Sequence, residues 1–293
     1  MPNLQQKLTQ PGVIIMDGAT GTQLQKMGLP RGMASELWNL QNPGAIKKHY
    51  QAYIDAGSNA ILTNTFCGSR PHLDKHQSGP LTHDINLAAA KLAREVVGDK
   101  TLVLGSVGPT GLLMKPLGPL TYEQAVEYFA EQSAALAEGG VDGIHIETMS
   151  DLKEAEAAIA GARQITQLPI TVTMSFDTRG RTMMGVKPDD AAKTLWTLNV
   201  TAIGVNCGRT LEENLQALTA MRAAVPEAVL IAKPNAGLPR MQGGTEIVYD
   251  VTPEIMAEYA LKFITQGVKM LGACCGSNPD HIRAIKAAVQ QAV

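Results

Sequence analysis

Eight short apolar runs recur along the chain, each separated from the next by a longer stretch with apolar residues at three- and four-residue spacing. Most runs are apolar at consecutive positions, which is typical of parallel strands covered on both faces. The intervening stretches begin with polar residues and have the spacing of amphipathic helices. The predicted strands are 13–17, 60–65, 101–107, 143–147, 170–176, 202–206, 229–233 and 269–274, and the clearest predicted helices are 121–138, 151–165 and 252–266.

Eight strand–helix units without a break in composition predict one (βα)8 barrel, a TIM barrel, over residues 1–293. The alternative is an open doubly wound sheet, which would place a Gly-x-Gly-x-x-Gly phosphate loop after the first strand. The turn at that position is Asp-Gly-Ala-Thr-Gly-Thr (17–22), and it lacks the third glycine. The sequence therefore favours the single-domain barrel.

The barrel prediction has a consequence for the position of the functional residues. In TIM barrels the chemistry occurs at the carboxyl ends of the strands, on the loops that lead into the helices. The unusual polar clusters of this chain all follow predicted strands, so we expect them to meet at one mouth. They are 16–18 (Met-Asp-Gly), 63–66 (Thr-Asn-Thr-Phe), 108–111 (Gly-Pro-Thr-Gly), 146–148 (Ile-Glu-Thr), 205–208 (Val-Asn-Cys-Gly), 234–237 (Pro-Asn-Ala-Gly) and 274–276 (Cys-Cys-Gly).

Composition narrows the class of protein. The 293 residues are 45% hydrophobic and carry a formal net charge of −2, with lysines and arginines scattered along the chain. We expect neither nucleic-acid nor membrane partners, because there is no basic patch and no apolar run of the about 20 residues that span a bilayer. The N-terminal residues lack the apolar core of a signal peptide. We therefore expect a cytoplasmic protein whose four cysteines are thiols or metal ligands rather than disulfides.

Three cysteines follow two of the predicted strands. Cys207 comes after the sixth strand, and the adjacent pair Cys274 and Cys275 comes at the end of the eighth. Three thiolates at one mouth make a Zn²⁺ site with one open coordination position, the arrangement of a catalytic zinc. Such a site is a poor activator of water but holds an incoming thiol as a nucleophilic thiolate. The sequence thus predicts thiol alkylation, and the alternatives are a closed structural zinc or buried apolar thiols.

Two carboxylates also end predicted strands. Asp17 ends the first strand and Glu147 the fourth, and two carboxylates at one mouth suit the ammonium group of an amino-acid substrate. For Asp17 the alternatives are a helix N-cap and a salt bridge within the barrel. The backbone N–H groups of residues 18–20 are placed to bind a substrate carboxylate.

The roles of two further residues stay open. Cys67 follows the second strand and could be a fourth ligand, but a fourth cysteine would close the site to substrate, so we leave it out of the metal set. His145 shares a strand face with Glu147. It is either a residue that orients Glu147 or a histidine of the core.

Seven segments give the chain a family likeness: 17–22 (Asp-Gly-Ala-Thr-Gly-Thr), 63–66, 108–111, Glu-Thr at 147–148 followed by Asp-Leu at 151–152, Asn-Cys at 206–207, 234–239 (Pro-Asn-Ala-Gly-Leu-Pro) and 274–276. Together they resemble the homocysteine S-methyltransferase family, and in particular the homocysteine-binding module of cobalamin-dependent methionine synthase. The resemblance extends from about residue 13 to residue 289, and the three cysteines are its most specific part.

The resemblance implies a zinc-dependent methyltransferase that moves a methyl group to the thiol of homocysteine and forms methionine. Two small departures, Ala273 for the family's glycine and Ser277-Asn278 for the commoner Thr-Thr, leave the metal ligands intact. The implied contacts are Cys207, Cys274 and Cys275 for zinc, Asp17 and Glu147 for the homocysteine amino group, the backbone of Gly18 and Ala19 for its carboxylate, and Thr65 for the pocket wall.

The methyl donor is the least determined part of this prediction. The chain ends about seventeen residues after Gly276, so we expect no folate, cobalamin or reactivation module within it. The likeness to methionine synthase then favours a methyl-corrinoid donor, either free methylcobalamin or a separate corrinoid protein, admitted between the long loops 19–42 and 67–83. The alternative is a small donor such as S-methylmethionine or betaine.

Three other functions remain open from the sequence. One is a zinc methyltransferase that acts on another thiol. A second is a zinc-dependent barrel hydrolase or aldolase, although the first strand has no His-x-His and Lys233 is the only lysine at a strand end. The third is a non-catalytic subunit with a structural zinc that docks on a corrinoid protein.

Overall fold

Eight parallel strands form a nearly closed barrel with helices between them, which confirms the predicted (βα)8 fold. The structure is a computed structural model, and it describes residues 3–242 and 246–292. The strands are β1 (Ile14–Ile15), β2 (Ala60–Leu62), β3 (Leu102–Val107), β4 (Gly143–Met149), β5 (Ile170–Met174), β6 (Ala202–Cys207), β7 (Leu230–Pro234), the hairpin strands β8 (Arg240–Gln242) and β9 (Glu246–Val248), and β10 (Val268–Leu271). The barrel order is β1-β10-β7-β6-β5-β4-β3-β2, and the antiparallel β8–β9 pair lies outside it.

Helices follow the barrel strands along the chain. They are α1 (Leu4–Thr9), α2 (Gly21–Lys26), α3 (Trp38–Gln41), α4 (Pro43–Ala56), α5 (Arg70–Asp74), α6 (Thr82–Val97), α7 (Tyr122–Glu138), α8 (Leu152–Ile165), α9 (Pro188–Thr197), α10 (Leu211–Ala224), α11 (Pro253–Thr265) and α12 (Pro279–Ala292), with short 3-10 turns at Ser35–Leu37 and Gly79–Leu81. Across the described ranges, no helix is both long and apolar enough to cross a membrane.

The three clearest predicted helices begin one residue later than the sequence pattern indicated. Thr121, Asp151 and Thr252 are N-caps, and each side chain accepts a backbone N–H from the first turn of its helix. At Thr121 the Gln124 side chain completes a capping box. A cap residue has extended backbone angles although its side chain serves the helix, so the polar start signals were correct while the helical backbone begins after them.

The barrel closes between β1 and β2 through side chains as well as backbone. The Asn59 N–H donates to the carbonyl of Ile15 at 2.8 Å, and the Ile15 N–H donates to Asn59 Oδ1 at 2.6 Å. Further up, the Leu62 N–H donates to Asp17 Oδ2 at 2.8 Å. The Asp17 carboxylate thus takes the place of a backbone carbonyl in the pairing with β2, which fixes it at the mouth of the barrel. The strand β1 itself is shorter than predicted and ends at Ile15.

The barrel interior changes from apolar to polar along its axis. Leu4 and Leu8 of α1 pack with the inward-facing apolar residues of the strands at the amino-terminal end. Toward the carboxyl ends, buried polar side chains fill the interior, among them Asp17, Glu147 and Lys233. The apolar end stabilises the fold by removing hydrocarbon from water, while the polar end forms the floor of the mouth.

Candidate metal centre and substrate pocket

The three predicted zinc ligands lie together at the carboxyl end of the barrel. Cys207 is the last residue of β6, Cys274 and Cys275 follow β10, and β7 lies between these two strands in the sheet. The backbone after β7 fixes both sides: the Asn235 N–H donates to the carbonyl of Cys207, and the Cys274 N–H donates to the carbonyl of Pro234. Residues 67 positions apart in the sequence are thereby brought into contact.

The three sulfur atoms lie close enough together to share one metal ion. All three lie within 4.8 Å of one another, and the Sγ atoms of Cys207 and Cys274 are 3.1 Å apart. Zn–S bonds of about 2.3 Å in a tetrahedron require sulfur atoms about 3.8 Å apart. Among the described residues this is the only group of three or more such ligand atoms, and Cys67 does not belong to it. Three ligands leave a fourth coordination position for a substrate.

The backbone next to the cysteine cluster is strained at two positions. Cys207 has φ of 56° and Thr148, at the end of β4, has φ of 61°, a left-handed conformation that residues with side chains rarely adopt. Asn206 joins the two, since its Oδ1 accepts the Thr148 N–H at 2.8 Å and its Nδ2 donates to Thr148 Oγ1 at 2.6 Å. Such strain persists only where neighbouring contacts enforce it, and it is common at functional sites.

The thiols cannot all ionise without a cation. The contacts of the Cys207 thiol with the thiols of Cys274 and Cys275, together with burial, raise its pKa well above the usual range. Cys275 accepts hydrogen bonds from both other thiols, which lower its pKa to about 3. Three thiolates this close together repel one another, so all three ionise together only around a bound metal ion. The chemistry of the donor set therefore fits a divalent, thiophilic metal.

A cavity of about 490 Å³ lies over the sulfur atoms. Its wall includes all three cysteines and the predicted substrate residues Gly18, Ala19, Thr65 and Glu147. Loops from opposite ends of the chain meet there, as expected for carboxyl ends of barrel strands. The structure thus brings together every predicted site residue except Asp17, which lies beneath the cavity wall.

Glu147 is the predicted substrate carboxylate that lies in the cavity wall. Its side chain is 6% exposed, and Oε1 accepts the hydroxyl of Ser106 at 2.5 Å. Burial raises the pKa of Glu147 to about 7, while the ammonium of Lys233 opposes the increase. A buried carboxylate with unused acceptor capacity is suited to a cationic substrate group.

Asp17 forms a salt bridge within the barrel, the alternative that the sequence left open. It is completely buried, and its Oδ1 lies 2.8 Å from Nζ of Lys233, while Oδ2 accepts the Leu62 N–H. Both oxygens of Asp17 are therefore engaged by the protein. Burial raises its pKa, against the lowering effect of Lys233.

The β1 loop packs closely against the segment that follows the cysteine pair. A Cβ on Gly18 would lie 2.6 Å from Oγ of Ser277 and 2.8 Å from the hydroxyl of Tyr53, so no side chain fits there. The Ala19 N–H donates to Ser277 Oγ at 3.0 Å, and Ser277 Oγ donates to the carbonyl of Cys274 at 2.7 Å. Ser277 thus ties the predicted carboxylate-binding loop to the metal ligands.

The other predicted residues have structural partners. Thr65 Oγ1 donates to the carbonyl of Ser106 at 2.6 Å, which fixes the cavity wall. Cys67 lines the same cavity, and burial raises its pKa to about 12. His145 Nδ1 lies 2.7 Å from Oγ1 of Thr171 and not against Glu147, and burial lowers its pKa to about 3, so it is a neutral histidine of the core.

Three residues at the site carried no functional prediction. Lys233 lines the cavity although the sequence marked it only as a strand-end lysine. Glu36 is also part of the wall, where its Oε1 accepts the Cys67 N–H at 2.8 Å. The ring of Tyr249 packs on Gly276, next to the cysteines. Of these, only Lys233 had a detectable signal, a charge at the end of an otherwise apolar strand.

Comparison with known proteins agrees with this geometry. The sequence profile described as homocysteine S-methyltransferase matches residues 14–289. The chain belongs to the homocysteine S-methyltransferase family. This membership confirms the resemblance inferred from the motifs.

Relatives of known name cover the same region. The methionine synthases of Mycobacterium leprae and Mycobacterium tuberculosis are each 32% identical to this chain over 298 residues. Each alignment covers 94% of this chain but 24% of the relative, so the chain spans about a quarter of the length of these curated relatives.

Solved structures share the barrel over nearly its whole length. The metallated form of the homocysteine methyltransferase MmuM from Escherichia coli superposes with a TM-score of 0.80 at 22% identity, covering 97% of this chain and 99% of that one. A methyltransferase from Methanosarcina mazei superposes with a TM-score of 0.62 at 13% identity, covering 98% and 97%. At these identities the likeness shows the fold.

Proposed function

We propose that the protein is a zinc-dependent methyltransferase that moves a methyl group to the thiol of homocysteine and forms methionine. The observation that carries this proposal is the set of three cysteine sulfur atoms that share one cavity with the buried carboxylate of Glu147. Membership of the homocysteine S-methyltransferase family supports the same substrate.

Cys207, Cys274 and Cys275 would hold the metal ion. A bound Zn²⁺ supplies a site at which a substrate thiol loses its proton at neutral pH and stays nucleophilic. The two hydrogen bonds between Asn206 and Thr148 would orient the backbone that carries Cys207.

Glu147 would bind the ammonium group of homocysteine. Its Ser106 contact leaves acceptor capacity toward the cavity. The homocysteine carboxylate then lies beside Gly18 and Ala19 of the β1 loop, which forms another part of the wall. In this arrangement Asp17 acts through Lys233 rather than by touching the substrate.

The chemical step is a displacement at the methyl carbon. The sulfur lone pair forms the new S–C bond while the bond between the methyl group and the donor breaks, its electron pair leaving with the donor. The thiol proton has by then been released to solvent. No side chain of the protein has to form a covalent bond, so the residues act by positioning and by charge.

A methyl-corrinoid is the donor that we propose. The named relatives at 32% identity are methionine synthases, and the cavity of about 490 Å³ opens at the barrel mouth. A separate corrinoid protein is the partner that would bring the methyl group to this opening.

The test is methionine formation by the purified, zinc-loaded protein. Homocysteine is supplied with methylcobalamin, S-methylmethionine or betaine, and a Cys274→Ser protein serves as the metal-site control. We expect slow, zinc-dependent methionine formation with free methylcobalamin and a faster reaction when a corrinoid protein carries the methyl group. Saturable turnover with S-methylmethionine or betaine, and none with methylcobalamin, would assign the protein to the small-donor enzymes instead.

A further inference from the structure

Lys233 is an unusual residue to find in the wall of a cavity. Its side chain is 2% exposed, yet it is part of the wall over the cysteines. An ammonium group has three N–H donors, and one of them reaches Asp17 Oδ1 at 2.8 Å. Within residues 3–242 and 246–292, Nζ has no other hydrogen-bond acceptor. Two N–H donors of a buried cation are therefore available to a ligand.

The two carboxylates near Lys233, Asp17 and Glu147, differ in whether their oxygens can still accept a hydrogen bond from a ligand. Asp17 is beneath the wall with both oxygens engaged. Glu147 faces the cavity and interacts electrostatically with Lys233, but the two do not form an ion pair within the described part of the chain. Glu36 also lies in the wall, but both of its oxygens accept hydrogen bonds, from the Cys67 N–H and the Ser35 hydroxyl. The wall thus presents Lys233 as a cation and Glu147 as an anion, and the two are separate from each other.

This pair of charges matches an α-amino acid, in which an ammonium and a carboxylate share one carbon atom. The β1 loop supplies less than the sequence implied, because the Ala19 N–H already donates to Ser277 Oγ. We propose that Lys233 is a specificity-determining residue that binds the α-carboxylate of the substrate while Glu147 binds its ammonium group. The proposal rests on the proposed function, since it concerns an amino-acid thiol at the same site.

A purely structural role for Lys233 would be to neutralise Asp17. The double variant Asp17→Asn/Lys233→Met separates the two roles, because it removes both members of the buried ion pair together and leaves neither of them unpaired. A second double variant, Asp17→Asn/Lys233→Gln, is made alongside it. It provides a folded protein with a neutral pair if methionine at position 233 packs poorly. Asp17→Asn alone is the matched control, since it keeps the Lys233 cation.

Binding is measured by calorimetry on the zinc-loaded proteins without any methyl donor. The ligands are homocysteine and 3-aminopropanethiol, which is homocysteine without its carboxylate. Both carry the ammonium group, so any change at Glu147 affects both equally. The ratio of their dissociation constants therefore reports the carboxylate contact alone.

In the wild-type protein and in Asp17→Asn, homocysteine should bind more tightly than 3-aminopropanethiol. In the neutral double variants we expect this preference to fall by about tenfold or more, the size of a charge-assisted hydrogen bond. An unchanged ratio in a folded double variant would overturn the role of Lys233. A wild-type protein that does not prefer homocysteine at all would instead contradict the proposed function.

Discussion

Replacement of Glu147 by glutamine should weaken substrate binding and at the same time stabilise the metal-free protein. The two effects have one cause, a carboxylate that the fold buries for a cationic ligand. Loss of the charge facing the homocysteine ammonium should cost about 2–3 kcal/mol of binding free energy, the range of hydrogen bonds to charged groups. Glutamine keeps an oxygen that accepts the Ser106 hydroxyl, so the local packing is retained.

The stability change follows from the pKa of Glu147. Burial raises this pKa from 4.5 to about 7, so the folded state favours the protonated form. The contribution of Glu147 to stability is complete below pH 4.5 and is lost as the pH rises through 7. A difference of this size corresponds to about 3 kcal/mol. Since glutamine is neutral throughout, Glu147→Gln should gain up to that amount relative to wild type above pH 7.

Urea unfolding of both metal-free proteins between pH 4.5 and 8 measures the change in stability. Calorimetry on the zinc-loaded proteins measures the change in binding free energy. Homocysteine is compared with 4-mercaptobutanoate, which lacks the amino group and should bind both proteins equally. Glu154→Gln is the control, because Glu154 is buried against Thr110 outside the cavity wall. A Glu147→Gln protein that is less stable at pH 8, or that loses both ligands alike, would make Glu147 an architectural residue.

Two further changes test the metal site and the barrel. Cys275→Ser should reduce zinc from about one ion per chain to a small fraction and abolish methyl transfer. Circular dichroism should show an intact barrel, because the ligand is on a loop. Full zinc content with normal turnover would remove Cys275 from the ligand set. Gly204→Ala should destabilise the fold by about 3 kcal/mol or more in urea unfolding. The reason is that its Cβ would lie 2.0 Å from the carbonyl oxygen of Ile231 on β7. A change below about 1 kcal/mol would mean that β6 and β7 separate easily.

Local patterns were enough to predict the barrel and the meeting of three cysteines at its mouth. Consecutive apolar residues identified all eight barrel strands, because parallel strands are buried on both faces. The carboxyl ends of these strands share one face of the barrel, so Cys207 and the pair at 274–275 could be placed together from the chain order alone. Polar start residues such as Thr121 located the helices to within one residue.

Side-chain pairing across the barrel could not be predicted in the same way. Asp17 and Lys233 are 216 positions apart, and nothing in either segment shows that they meet. The sequence therefore predicted a substrate contact for Asp17 and left a salt bridge within the barrel as an alternative without a named partner. The β8–β9 hairpin and the position of Glu36 in the cavity wall were likewise missed, because neither has a periodicity of its own.

The sequence by itself determined which residues lie at the carboxyl ends of strands, since the hydrophobic pattern fixes where each strand runs. Only the tertiary structure decided which of those residues remain open to a ligand. The reason is that a buried charge takes whichever partner the packing brings within hydrogen-bond distance. Here the packing pairs Asp17 with Lys233 and the Ala19 N–H with Ser277, and it leaves Glu147 and Lys233 in the cavity wall.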